Sequence, residues 1–222
     1  MKATPLSVAA VAAIAITYIR AFFFTPLEAI QGPAQKILYL HAPSAWVAFL
    51  AFGLVGLASV LYLWLKDERL DRIAESSAEV GVMFTTIVLV TGPLWGKPIW
   101  GTWWTWDARL TLTLFLWFIY LGYIVLRGAV DDRAMRARYS AVLGILGTLL
   151  IPFIHLSVYL FRTLHPQPIL MKPGAPSLPG EMLATLLLSF GSFTLLYVAL
   201  LRGRYRYAVE RDNAHPPETY DA

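Results

Sequence analysis

The sequence predicts an all-α membrane protein, a polytopic six-transmembrane-helix bundle with a short tryptophan-rich amphipathic segment on its outer side. Three observations carry that reading. Of 222 residues, 58% are hydrophobic and only 14% charged, and the mean hydropathy is +0.60, too apolar for a soluble domain of this size. Six apolar runs each approach the roughly 20 residues that a helix rising about 1.5 Å per residue needs to cross the hydrocarbon. No alternating short-strand pattern supports a barrel, the other architecture that pairs every backbone amide inside lipid.

The runs fall at about 6–24, 44–65, 78–95, 109–126, 140–161 and 181–201. The first begins after Lys2 in the manner of a secretory signal. It is longer than an h-region, however, and Ala13-Ile14-Ala15 lies inside it, so a retained helix is expected. The second is directly preceded by His41, and its first turn tolerates Pro43. The third runs into the tryptophan segment, residues 92–109. Asp107 is placed to cap the fourth, its carboxylate accepting from the amides just after it. The fifth holds Pro152, which leaves a carbonyl without its amide partner, and His155, read as a hydrogen-bonding group between helices. His165 directly follows that helix. The sixth leads into "RGRYRYAVERD", read as a cytoplasmic helix end with lipid anchors and not as a nucleic-acid patch. His215, beyond it, reads as a solvated tail residue. One domain spans 1–222, with no internal repeat or low-complexity tract.

Orientation follows from Lys and Arg. Both termini share one side, which receives Lys2, the 66–72 and 127–138 connections and the 202–211 tail, holding 12 of 18 basic residues. The positive-inside rule makes that side cytoplasmic. The bias also accounts for the pI of about 9.4 without a nucleic-acid partner. With no cysteine, a disulfide framework, a thiolate nucleophile, a Cys-bound zinc and covalent haem attachment through C-x-x-C-H are excluded in this chain.

Chemistry is therefore expected on the outer face, where three connections contain "LYLHAPSAW", the tryptophan segment and "RTLHPQPILMKPGAPSLPG". Five of the eight tryptophans, Trp95, Trp100, Trp103, Trp104 and Trp106, fall within twelve residues. A belt of indoles at headgroup level explains one or two per helix end, not five. Trp100, Trp103 and Trp104 have i, i+3, i+4 spacing, which predicts one indole face on a short interfacial helix. Such a face suits a large, flat, apolar partner. Arg109 has two readings, a pair with Asp107 or a contact to an anionic ligand.

His41 and His165 are 124 residues apart, yet both are expected at the outer boundary, bracketing the indoles. Zinc normally takes three or four protein ligands, and nothing resembles H-E-x-x-H. Haem supplies four nitrogens itself and needs one or two axial ligands. It is flat and largely apolar, with propionates for Lys or Arg, so haem suits these residues better than zinc.

At this point the sequence resembles a known family. "WGKPIWGTWWTWDARLT" resembles the WWD signature of membrane haem-handling proteins, and six spans at this length resemble the CcmC family, haem exporter protein C of cytochrome c maturation. "YLHAPSAW" and "SVYLFRTLH" stand where that family carries its two external histidines, and the resemblance covers nearly the whole chain. It implies a bacterial inner-membrane protein, not an enzyme, holding haem b non-covalently on the periplasmic face. Its implied partners are a CcmE-type haem chaperone, a CcmA/CcmB-type ABC transporter, a CcmD-type small single-span protein and membrane lipid. Carried over residue by residue, His41 and His165 would be axial ligands. Trp95, Trp100, Trp103, Trp104, Trp106 and Asp107 would form the edge where haem meets its chaperone. Family members carry a tryptophan pair shortly before the second histidine; Leu160-Phe161-Arg162 stands here instead. Arg162 thereby joins Arg109 as a candidate propionate partner.

Two other classes of function are compatible with the sequence. A transporter reading has the bundle itself conduct haem, which requires a polar or small-residue path across the bilayer; the second, fourth and sixth spans offer little beyond Thr and Ser. An enzyme reading has an intramembrane metal hydrolase built on His155, His165 and Glu181, for which no recognised spacing exists.

Overall fold

The computed structural model describes residues 4–170, 172 and 174–214; Lys2 and His215 lie outside the described residues. Six helical spans are long and apolar enough to cross a membrane, and the one strand-like pairing among the described residues is an isolated bridge between Glu28 and Gly32.

Helix α1, Pro5–Ile19, starts where Thr4 accepts a bond from Ser7 N at 3.2 Å, with Pro5 in the first turn, where its missing amide costs nothing. It widens into a π turn, Arg20–Phe24, closed by Thr25 Oγ1 donating to the Arg20 carbonyl at 2.9 Å. The second span begins earlier than its apolar run: a 3-10 turn, Pro33–Ile37, feeds α2, Leu38–Leu65. His41 is therefore inside the helix and not ahead of it. Pro43 is tolerated because the carbonyl it leaves unpaired, that of Tyr39, accepts from Ser189 Oγ at 2.8 Å.

Lys66, in the left-handed region at φ 56°, ends α2. Asp67 then caps α3, Glu68–Trp100, accepting from Arg69 N at 2.9 Å. The 66–72 stretch, expected as a charged loop, is thus almost all helix, because a capping carboxylate and acidic residues in the first turn favour that end. At its other end α3 passes Pro93 and Pro98 and stops at Gly101, φ 74°, a conformation glycine adopts without steric cost. The predicted helical face of Trp100, Trp103 and Trp104 is therefore corrected. Trp100 closes α3, and Trp103, Trp104 and Trp106 lie on a non-helical stretch.

Asp107 caps α4, Ala108–Ala129, as expected, accepting from Leu110 N at 3.0 Å. The fifth span is α5, Arg133–Thr148, followed by α6, Leu150–Leu160. The interruption at Leu149 stands three residues before Pro152, whose absent amide breaks the ladder to Thr148. The last span is α7, Gly180–Ala214.

Helix α2 is the hub, packed on α3, α5 and α7, with α1 against α7. Midway along α2, Phe52 stacks on Tyr120 with centroids 3.7 Å apart, and the Tyr120 hydroxyl donates to the Gly144 carbonyl at 2.9 Å. Buried hydroxyls join α1 to α7 through Thr17 and Ser192, 3.0 Å apart, as polar groups in lipid require. Around the C-terminal end of α4, helices α3, α4 and α7 are tied by charge. Arg127 grips Asp71 with two bonds of 2.6 and 2.9 Å and reaches Glu75 at 3.1 Å. Arg211 meets Glu75 at 2.7 and 3.0 Å, and Arg204 pairs with Glu79.

Candidate functional site

The N-terminal ends of α2 and α4 and the C-terminal end of α3, with α6 and the segment after it, enclose a cleft of about 230 Å³. It descends from His41 to Ala48 on α2 and from Arg109 to Leu116 on α4, so at about 1.5 Å per residue it reaches some 10 Å inward. Phe52 and Tyr120, one helical turn farther in and both fully buried, close it from below.

His41 and His165 both line this cleft. Trp95, Trp100, Trp103, Trp104 and Arg109 line it with them. Trp106 is 76% exposed outside the lining, Asp107 is occupied as the α4 cap, and Arg162 is exposed beyond the cleft.

The indoles and imidazoles touch edge to face. The His41 ring meets Trp95 at 5.8 Å and 68°, and His165 meets Trp100 at 6.4 Å and 58°. Gly92 makes room for the first pair, since a Cβ there would come within 3.3 Å of His41 Cε1. The Trp95 Nε1–H donates to Gln31 Oε1 at 3.1 Å, bringing the first external loop onto the site.

The hydrogen bonds assign the protons. His41 Nδ1 lies 2.9 Å from Thr91 Oγ1, and that hydroxyl spends its own hydrogen on the Ile87 carbonyl at 2.7 Å. Thr91 can then only accept, so His41 carries its proton on Nδ1. His165 Nδ1 lies 2.8 Å from the Pro166 carbonyl, which has no hydrogen to give. Its proton is also on Nδ1. Each ring is left with an Nε2 lone pair free of intramolecular partners among the described residues, the state in which histidine ligates a metal. Desolvation in the cleft and the positive charge of Arg109 lower the His165 imidazole to about 4, keeping that lone pair unprotonated.

Arg109 is the only charged residue in the lining, which includes no carboxylate. Its Nη1 donates to the Ile154 carbonyl at 3.4 Å, and among the described residues it forms no ion pair. The pairing with Asp107 left open by the sequence is thus not made. The buried Trp104 Nε1–H has no acceptor among the described residues. An apolar cleft with one uncommitted cation, an idle donor and two imidazole lone pairs is suited to a large anionic amphiphile that accepts nitrogen ligands.

His155 does not line the cleft; its ring lies 6.4 Å from Tyr159, one turn along its own helix. No three His, Cys, Asp or Glu side chains gather as a metal cluster among the described residues, so His155, His165 and Glu181 build no hydrolase centre. Sequence reasoning missed Gln31 and Thr91. Thr91 had a faint signal, a hydroxyl one turn before Trp95 in an otherwise apolar stretch; Gln31 had none.

The model of the family described as "Heme exporter protein C" matches residues 2–219. The chain belongs to the haem exporter protein C family. A "Heme exporter protein C" from Haemophilus influenzae is 40% identical over 196 residues, covering 87% of this chain and 79% of that protein. The Bradyrhizobium diazoefficiens protein of the same name is 42% identical over 170 residues, 77% of this chain and 65% of its own length. The Escherichia coli K12 protein is 37% identical over 201 residues, 90% and 81% respectively. Haem exporter protein C members are membrane haem-handling components and not enzymes.

Proposed function

We propose that this chain serves haem export for cytochrome c maturation by holding haem b, its cargo, non-covalently in the outer cleft and presenting it to a periplasmic haem chaperone of the CcmE type. His41 and His165 supply the two axial nitrogens through Nε2, the indoles of Trp95, Trp100 and Trp104 cover the porphyrin faces and edge, and Arg109 meets a propionate. One observation carries the reading. Two histidines remote in sequence line the same apolar cleft, each with Nδ1–H engaged and Nε2 free. Trp103 and Trp106, 56% and 76% exposed at the rim, are apolar surface for an acceptor to cover. Asp107 fixes the start of α4 and so the aim of Arg109. Arg162, exposed outside the lining, would meet a propionate only at the mouth.

The distribution of Lys and Arg supports an inner-membrane protein with cytoplasmic termini and a periplasmic cleft. CcmA/CcmB-type transporter subunits and a CcmD-type single-span protein are the partners the family name points to. The Phe52–Tyr120 stack beneath the cleft weighs against haem crossing through this bundle alone; haem flux in vesicles containing only this protein would restore that reading. The direct test is the visible spectrum and iron content of the purified protein. One haem per chain with a low-spin Soret band is expected, and its loss in the His41→Ala/His165→Ala double variant. A double variant that keeps its haem and an unshifted Soret band sinks the assignment.

A further inference from the structure

The two imidazoles are held in unequal ways. His41 stands on α2, and its Nδ1–H is bonded to Thr91 of α3 at 2.9 Å. The ring is also wedged against Gly92, 3.3 Å from where a Cβ would stand, and lies edge-on to Trp95. Its orientation is fixed between two packed transmembrane helices. The Thr91 hydroxyl is itself immobilised, because its hydrogen goes to the Ile87 carbonyl of its own helix at 2.7 Å.

His165 has no comparable support. Its hydrogen bonds among the described residues run from its backbone N to Thr163 Oγ1 at 3.1 Å and from Nδ1 to the Pro166 carbonyl at 2.8 Å. Both partners lie within two residues of it in the chain. The segment between Leu160 and Gly180 contains no helix among the described residues. The ring can thus keep its tautomer and its hydrogen bonds while residues 161–167 shift away from Trp100, whereas His41 cannot move without breaking a bond between helices.

We infer that Thr91 is a positioning residue that makes His41 the retained anchor of the cargo, and that His165 is the ligand that lets go when haem is handed over. The inference rests on the bis-histidine reading above. In the handover step the iron–Nε2 bond to His165 breaks, the electron pair returns to the imidazole, and a lone-pair donor of the acceptor protein takes the vacated position. No electron or proton changes hands. Thr91 acts through His41. Its oxygen accepts the Nδ1 hydrogen, which raises the basicity of Nε2 and holds the ring at one angle, a partnership whose loss typically costs about 10–100-fold in metal affinity.

The experiment uses full-length protein purified with haem, with apomyoglobin as acceptor and the visible spectrum as readout. His165→Ala is expected to retain haem but change from a six-coordinate low-spin to a five-coordinate high-spin spectrum; His41→Ala is expected to lose its haem on purification. Thr91→Val, similar in shape but without the acceptor oxygen, should pass haem to apomyoglobin about 10-fold faster or more. Thr91→Ser, which keeps the oxygen, should stay near the wild-type rate and separates a lost hydrogen bond from a disturbed helix. Equal haem loss from the two histidine variants, or wild-type transfer from Thr91→Val, overturns the inference while leaving the bis-histidine site standing. Haem retained by the double histidine variant takes down both.

Discussion

Arg109 and Arg127 stand at opposite ends of α4 and meet opposite surroundings. Arg127 is locked between Asp71 and Glu75, its side chain 6% exposed. Arg109 faces a cleft without a carboxylate, held by one long bond to a backbone carbonyl. In the first case each charge is cancelled inside the chain and the helix ends are fastened. In the second a charge is left over, and the polar groups around it wait for a partner from outside. Helices α3 and α4 thus spend their ionic interactions on cohesion at one end and leave a charge uncommitted at the other.

That contrast can be broken from either side. The largest effect is expected for Arg127→Ala, which strands half-buried Asp71 and takes one of two cationic partners from buried Glu75; about 3 kcal/mol of stability should be lost, read as a lower unfolding midpoint in detergent. Arg109→Ala should leave that midpoint nearly unchanged and instead weaken haem binding by about 1.5–3 kcal/mol, the worth of a hydrogen bond to a charged group. The loss should disappear when the dimethyl ester of haem, which has no carboxylates, is titrated in its place. If Arg109→Ala unfolds the protein as Arg127→Ala does, the two ends are not different in kind. Asp107→Ala removes the cap of α4 and should cost about 1 kcal/mol, with a smaller loss of haem affinity as Arg109 loses its aim. Trp95→Phe keeps the ring beside His41 but deletes the bond to Gln31, worth about 0.6 kcal/mol in a membrane setting; a perturbed Soret band with little change in midpoint is expected. The smallest effect belongs to Arg69→Ala. Its pair with Asp67 is exposed, 73% on the arginine side, and its removal should leave the unfolding midpoint unchanged, since solvent screens such a pair.

The legible and the hidden parts of this molecule divide by range. Apolar run length is a local property, and it marked all six spans. The Asp107 cap is also local, and its bond to Leu110 N is where the sequence placed it. Helix ends were harder to read. Charges at Asp71 and Glu75 end an apolar run without ending a helix, because their partners Arg127 and Arg211 lie 52 to 136 residues away. No pattern within α3 announces them. The indole face failed for a different reason: i, i+3, i+4 spacing holds only while the backbone stays helical, and Gly101 turns it left-handed. The histidine pair was suggested by predicted depth and by family pattern, and the cleft unites them. Thr91, 50 residues from His41, and Gln31, 64 from Trp95, are tertiary contacts with no local spelling.

The joint between Ser189 and the Tyr39 carbonyl has a mechanical consequence. Proline at position 43 opens a socket in the first turn of α2, and α7 plugs it. His41 rides on that same turn. Helix α7 continues unbroken to Asp212, which pairs with Arg72, roughly 35 Å farther along at 1.5 Å per residue. A tilt imposed at the Asp212 end of α7 is thereby carried to the turn of α2 on which His41 stands. Ser189→Ala cuts that lever, and the haem exchange rate is the quantity in which the slack would register; an unaltered rate would mean the lever transmits nothing.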